Sequence, residues 1–291
     1  MTTATLSAAS PGSSRSRVSW WRELALLAAL YGVYMLARAL VGVHPAAAMD
    51  RGRWLLDLEA TTRIDIERPL NSAVHAVPVL AVLADYVYAS LHYLVTPLVL
   101  VWLAVRHRDG YRRGRNALLI ATALGLIGFW LLPTAPPRLL DAGAFLDTMA
   151  VFSNWGWWGE AASAPRGLEG LSNQYAALPS LHVGWALWSA LQVRANTNSR
   201  VLRRWAWTYP ALIALVVMAT ANHYLLDAVA GAAVVLVGHH VAGRLAARRR
   251  VDPEAAEPLP FGVGEIPADC AELDGLHGAE LDDADCLPVA V

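Results

Sequence analysis

"NHYLLDAVAGAAVVLVGHHVAGRL", residues Asn222–Leu245, sets a histidine and an aspartate at the head of a long apolar run. An α-helix needs about 20 predominantly apolar residues to cross a bilayer. Leu225–Leu245 meets that length, so the stretch reads as a membrane span with a polar group at one membrane face. A second stretch, "LPSLHVGW" at Leu178–Trp185, opens another apolar run and again puts a histidine at its edge. Ionisable groups at the head of a span are costly in lipid and useful for chemistry.

Composition supports a membrane class. The 291 residues are 56% hydrophobic and only 16% charged, against about 25% charged in a soluble domain. The net charge is -1, so no basic field points to nucleic acid. All 23 basic residues are arginine, which removes lysine nucleophiles and Schiff bases. The two cysteines, Cys270 and Cys286, match neither a zinc spacing nor a disulfide framework.

Six apolar runs can be placed: about 24–43, 86–105, 117–132, 178–193, 205–221 and 225–245. The first has Arg15, Arg17 and Arg22 before it and Ala46–Ala48 after it, like a signal peptide, but its length favours a retained helix. The expectation is an all-α integral membrane protein, a six-helix bundle with interfacial helices. Residues 1–18 are expected to be disordered, 19–250 to form the membrane catalytic domain, and 251–291 to be an acidic, disordered tail. Residues 44–70 carry too many charges to span. Trp54, Leu55, Leu58 and Ile64 suggest a short interfacial helix there. The short run 72–84 reads as re-entrant or half-buried, with Asp85 dividing it from the second span.

Arginine placement gives an orientation. Arg106–Arg115, Arg194–Arg204 and Arg244–Arg250 follow the second, fourth and sixth runs, and the N-terminal segment is also basic. These segments and both termini read as cytoplasmic, in a plasma membrane of bacterial type. The segments 44–85 and 135–177, with Trp155, Trp157 and Trp158, and the turn near Asn222 then lie outside. That puts His182, His223, Asp227 and Arg138 on one extracytoplasmic face.

Their chemistry is complementary. A His–Asp pair spaced i, i+4 shares one face of a helix, so Asp227 can fix the tautomer of His223 and leave its other nitrogen nucleophilic. His182 can protonate a leaving oxygen. Arg138 and the Ser180 hydroxyl are candidates for holding an anionic transition state. His92, inside the second span, is a possible pocket residue. The remaining histidines read as boundary residues. Two histidines and one aspartate lack the acidic cluster of a hydrolytic metal site, so no metal and no cofactor is expected.

These stretches resemble the second and third signature motifs of the type 2 phosphatidic acid phosphatase superfamily, over roughly residues 70–245. Pro179-Ser180-Leu181-His182 is closer to the inositolphosphotransferase branch, the inositol phosphorylceramide synthase type, than to the Pro-Ser-Gly-His of the phosphatases. The Ser-Arg that precedes the third-motif histidine in phosphatases is replaced by Val216 and Val217. The first motif is not matched as written; Arg68-Pro69 lacks its lysine. "PTAPPR", Pro133–Arg138, resembles the proline-rich segment of the synthase branch. The resemblance implies a six-helix lipid phosphatase or phosphotransferase acting on a phospholipid or polyprenyl-type lipid phosphate. It implies a phosphohistidine at His223, orientation by Asp227, protonation by His182 and phosphate binding by Arg138. The alternative is a non-catalytic membrane protein, either a pseudoenzyme or a transporter or scaffold. The oligomeric state is not legible in the sequence.

Overall fold

The computed structural model describes residues 20–41, 45–140, 145–159, 166–167 and 173–251. The expectations for 1–18, for the acidic tail beyond residue 251 and for both cysteines lie outside the described residues. The chain divides after Leu245; the second unit is described only to Val251, where it is helical.

The described residues are helical, with one isolated backbone bridge between Thr134 and Ala176. The helices are α1 (Trp20–Val41), α2 (Pro45–Thr61), α3 (Glu67–His75), α4 (Pro78–Arg106), α5 (Arg108–Leu131), α6 (Thr148–Val151), α7 (Leu181–Asn196), α8 (Arg200–Trp205), α9 (Thr208–Ala219) and α10 (Leu225–Val251). Among the described residues, three stretches are long and apolar enough to cross a membrane: Pro78–Arg106, Gly110–Leu131 and Leu225–Arg248. With 16 and 12 residues, α7 and α9 are shorter than a perpendicular crossing takes.

Two expectations change. Asp85 does not divide two segments, because α4 runs 29 residues straight through it. Its carboxylate is buried and accepts a hydrogen bond from Thr148 Oγ1 at 2.7 Å, so the charged position is absorbed inside the helix. Further along α4 the helix carries the segment after α6: Tyr86 donates to the Trp155 carbonyl at 2.5 Å, and Trp157 to Ser90 at 3.1 Å. Secondly, the arginine-rich segment is not a loop: Arg106 ends α4, and Arg108, Arg112, Arg113 and Arg115 lie in the first part of α5.

The packing follows helical periodicity. Ala81, Asp85, Tyr88, His92, Thr96, Val99 and Leu103 form the buried stripe of α4, at the three- and four-residue spacing of one helix face. Val79, Leu83, Leu94, Leu98, Val101 and Val105 stand exposed around it, as lipid-facing positions do. In lipid, close approach of small residues binds helices together. Gly231 of α10 lies so near the start of α7 that a Cβ there would sit 2.1 Å from the Ser180 carbonyl oxygen. One apolar cluster joins α4, α7 and α9 to Met149 and Trp158, and another joins α4, α5, α7 and α10. A third, built on Leu55, Ala135, Leu140, Ala177 and Tyr224, underlies the site.

Candidate active site

One helix end, that of α9, and two helix starts, those of α7 and α10, meet here. Helix α9 stops at Thr220, and Ala221 adopts a left-handed conformation (φ 54°). Asn222 N–H bonds back to the Val217 carbonyl and Ala221 N–H to that of Met218. This is the Schellman pattern of helix termination, with alanine where glycine is usual. It delivers Asn222 and His223 as an extended link before α10 begins at Leu225. His223 therefore does not share a helix face with Asp227. Asp227 stands at the third position of α10 and reaches back to accept the Tyr224 N–H at 3.0 Å, one half of a capping box. The same Oδ2 lies 3.4 Å from His223 Nδ1.

Asp227 has a rival for that nitrogen. The Ala177 carbonyl is nearer, at 2.9 Å. A carbonyl can only accept, so His223 Nδ1 carries the proton and Nε2 keeps its lone pair. Nε2 faces His182 Nδ1 at 3.4 Å. His182 stacks on Tyr88, with ring centroids 4.5 Å apart, and meets His92 edge-on at 4.3 Å. Nδ1 of His92 donates to the Tyr88 carbonyl at 3.1 Å, fixing that ring in turn.

Arg138 arrives from the proline-rich segment after α5. Thr134 N–H bonds to the Tyr175 carbonyl, and Ala177 N–H to that of Thr134, so the segment runs beside the approach to Ser180. The Arg138 backbone N–H donates to the Ala221 carbonyl at 2.9 Å. Its Nε bonds to Asn222 Oδ1 at 2.9 Å, and one Nη meets Asp147 at 3.2 Å. The side chain is 3% exposed, and its fork is held on two sides.

These groups line a cavity of about 210 Å³, whose walls include Tyr88, His92, Arg138, His182, Asn222 and His223. Ser180 and Asp227 are fully buried and lie behind that wall. The Ser180 hydroxyl caps α7, accepting the Val183 N–H. The leucine that replaces glycine in the second motif lines the cavity and packs against α5 at Gly125, where a Cβ would lie 2.5 Å from Leu181 Cδ2. Val216 and Val217, at the positions of the missing Ser-Arg, are buried in the apolar cluster of α9. Arg68 lies over the ring of Phe145, outside the cavity wall.

Sequence reasoning missed the groups that hold these residues in place. Asn222 stands next to His223 and was legible only as part of a turn. Asp147 pairs with Arg138 through a loop without periodic signal. Asn71 of α3 binds the Leu146 backbone and the Ala219 carbonyl, tying the segment before α6 to the end of α9. Glu59 of α2 and Glu67 of α3 reach the start of α10.

The family model of the PAP2 superfamily matches residues 53–241, and the chain belongs to that superfamily. No curated protein and no solved structure matches it. Domains of this superfamily are generally phosphatases or phosphotransferases, and membership together with the membrane-length helices points to activity on lipid phosphate. The match begins in α2, ahead of the expected start near residue 70, so the segment carrying Glu59 and Glu67 falls within it.

Proposed function

We propose that this chain is a membrane lipid phosphatase or phospho-headgroup transferase, inositolphosphotransferase-like, working through a phosphohistidine at His223. One observation carries the reading: His223 is held as the Nδ1–H tautomer with its basic Nε2 turned toward His182, in a cavity that also presents Arg138. Nε2 attacks the phosphorus of the lipid phosphate, and the P–O bond to the lipid alcohol breaks. His182 delivers a proton to that oxygen. Water or an acceptor hydroxyl then attacks the phosphohistidine, gives its proton to His182, and restores the Nε2 lone pair. Arg138 balances charge on the phosphoryl oxygens, and the start of α7 adds helix N–H groups. Ser180 serves by capping that helix, and His92 supports the His182 ring.

The 3.4 Å gap between the two nitrogens cannot hold a phosphorus and an oxygen. Substrate must part the rings, so the described geometry is a resting one. A cavity of about 210 Å³ is below the roughly 300–1,000 Å³ of whole-ligand pockets. It suits a headgroup whose lipid tails remain in the bilayer.

The six-crossing arrangement belongs to the same reading, with α1, α4, α5, α7, the α8–α9 run and α10 as spans. Arg106, Arg112, Arg113, Arg115, Arg194 and Arg244 lie at the helix ends away from the cavity, which supports an extracytoplasmic cavity under the positive-inside rule. Purified protein is tested with phosphatidic acid and with phosphatidylinositol, each with and without a lipid alcohol acceptor. The expected result is headgroup transfer or phosphate release that disappears in His223→Ala. Inorganic phosphate as the sole product under every condition removes the transferase part. Undiminished activity of His223→Ala removes the mechanism.

A further inference from the structure

Helix α10 begins one residue after Tyr224 and two after His223, so whatever fixes its first turn fixes the nucleophile proposed above. The first N–H groups of any helix lack intrahelical partners. Here two of them are met by carboxylates from distant elements. Glu67 Oε1 of α3 accepts the Leu225 N–H at 2.6 Å, and Glu59 Oε1 of α2 accepts the Leu226 N–H at 2.7 Å. Both glutamates are 0% exposed. Each leaves its second oxygen, Oε2, buried without a hydrogen-bond donor. Two ionised carboxylates in that position would repel each other and leave both oxygens unsatisfied, a costly arrangement. One proton shared between them removes both penalties.

We infer that Glu59 and Glu67 are positioning residues that share a single proton and, by clamping the first turn of α10, hold His223 against the Ala177 carbonyl and His182. The inference rests on the phosphohistidine reading for its catalytic consequence, but not for the clamp itself. Supporting it, burial and the neighbouring Glu67 and Asp227 carboxylates push Glu59 up to about 8. Those are the acidic groups bearing on it from α3 and α10; Tyr224 lies beside them, its hydroxyl pushed up by burial and by Asp227, Glu59 and Glu67, and it donates to the Ala135 carbonyl at 2.9 Å. The sign is clear. The folded chain keeps a proton on Glu59 that the unfolded chain loses above 4.5. Stability from the pair is therefore greatest at low pH and declines as pH rises through about 8.

The test uses the full chain in detergent or nanodiscs, with Glu59→Gln and Glu59→Ala. Glutamine keeps the accepting oxygen, supplies the shared hydrogen from its amide and cannot ionise. Hydrogen exchange of the backbone amides of Leu225 and Leu226 is followed between pH 6 and about 9, the range that brackets the titration. In the wild type, protection beyond the intrinsic rate is expected to fall about tenfold across that range; in Glu59→Gln it holds, and in Glu59→Ala it is low throughout. Phosphate release from phosphatidic acid gives the second arm: kcat of the wild type falls on the alkaline side, Glu59→Gln extends the plateau, and Glu59→Ala loses kcat with little change in KM. Superimposable exchange profiles for wild type and Glu59→Gln overturn the shared proton. Unchanged protection in Glu59→Ala overturns the clamp. A wild type inactive on every lipid tried, with the exchange pattern intact, counts against the proposed function and leaves the clamp standing.

Discussion

Helices α7 and α10 both begin beside the cavity, and their first turns are built in opposite ways. The start of α7 is closed by a neutral hydroxyl, Ser180, and Leu181 and His182 of its first turn line the cavity together with Arg138. The start of α10 is closed by three carboxylates, Glu59, Glu67 and Asp227. A helix N-terminus attracts anions. At α7 that attraction remains available to a phosphate. At α10 it is consumed by the protein's own acids, which also lie behind His223, where a positively charged phosphohistidine ring would need compensation. Under the proposed mechanism the contrast would sort charge across one small cavity: phosphoryl oxygens toward Arg138 and α7, imidazolium toward α10.

Removing the cation on the α7 side is the strongest way to break this contrast. Arg138→Ala is expected to cut kcat about 10²–10³-fold. Arg138→Lys recovers little, because an ammonium cannot reproduce the fork held by Asn222 and Asp147. Retention of wild-type kcat in Arg138→Ala, measured by initial rates, would show that phosphate is held elsewhere. Comparable in size is His182→Ala, with an expected loss of about 10²–10⁴-fold. The loss should shrink for substrates whose leaving alcohol is more acidic. An equal loss across a leaving-group series contradicts its role as proton donor.

The two helix starts touch at Gly231, so crowding that contact perturbs both at once. Gly231→Ala forces a Cβ toward the Ser180 carbonyl and is expected to destabilise by roughly 1–3 kcal/mol, read as a lowered midpoint in thermal unfolding in detergent. An unchanged midpoint means the helices can slide apart without cost. Ser180→Ala removes only the neutral cap and is expected to cost about 0.5–2 kcal/mol. Its effect sharpens the comparison if kcat falls further than stability alone explains. Smallest is Ala221→Gly, which relieves a left-handed alanine and should raise stability by up to about 1 kcal/mol while leaving the hydrogen bond from Arg138 N–H in place. A lower midpoint there would mean that the alanine methyl contributes packing worth more than the strain.

Much of the candidate site is legible in the sequence. Span counting and arginine placement put His182, His223, Asp227 and Arg138 on one face; His182, His223 and Arg138 line the same cavity, and Asp227 lies buried behind its wall. The pairing of His223 with Asp227 was expected for a reason the structure replaces. The spacing suggested one helix face, whereas the histidine sits in the link ahead of α10 and the aspartate folds back to it as a capping residue. Asp85 misled because a charge in an apolar run reads as a boundary, unless its partner, here Thr148, is known.

By itself the sequence determined the helical, membrane class and the residue types of the chemistry, because apolar run length and polar motifs are local properties. It also showed Val216 and Val217 where the resemblance implies Ser-Arg, which made Arg138 the candidate cation. Tertiary structure alone decided which group holds each of these residues. The Ala177 carbonyl on His223, Asn222 and Asp147 on Arg138, and Glu59 and Glu67 on α10 are contacts across 46, 84, 9, 167 and 158 residues. No periodicity reports such contacts. They arise because buried polar groups must find partners wherever the packed chain brings them.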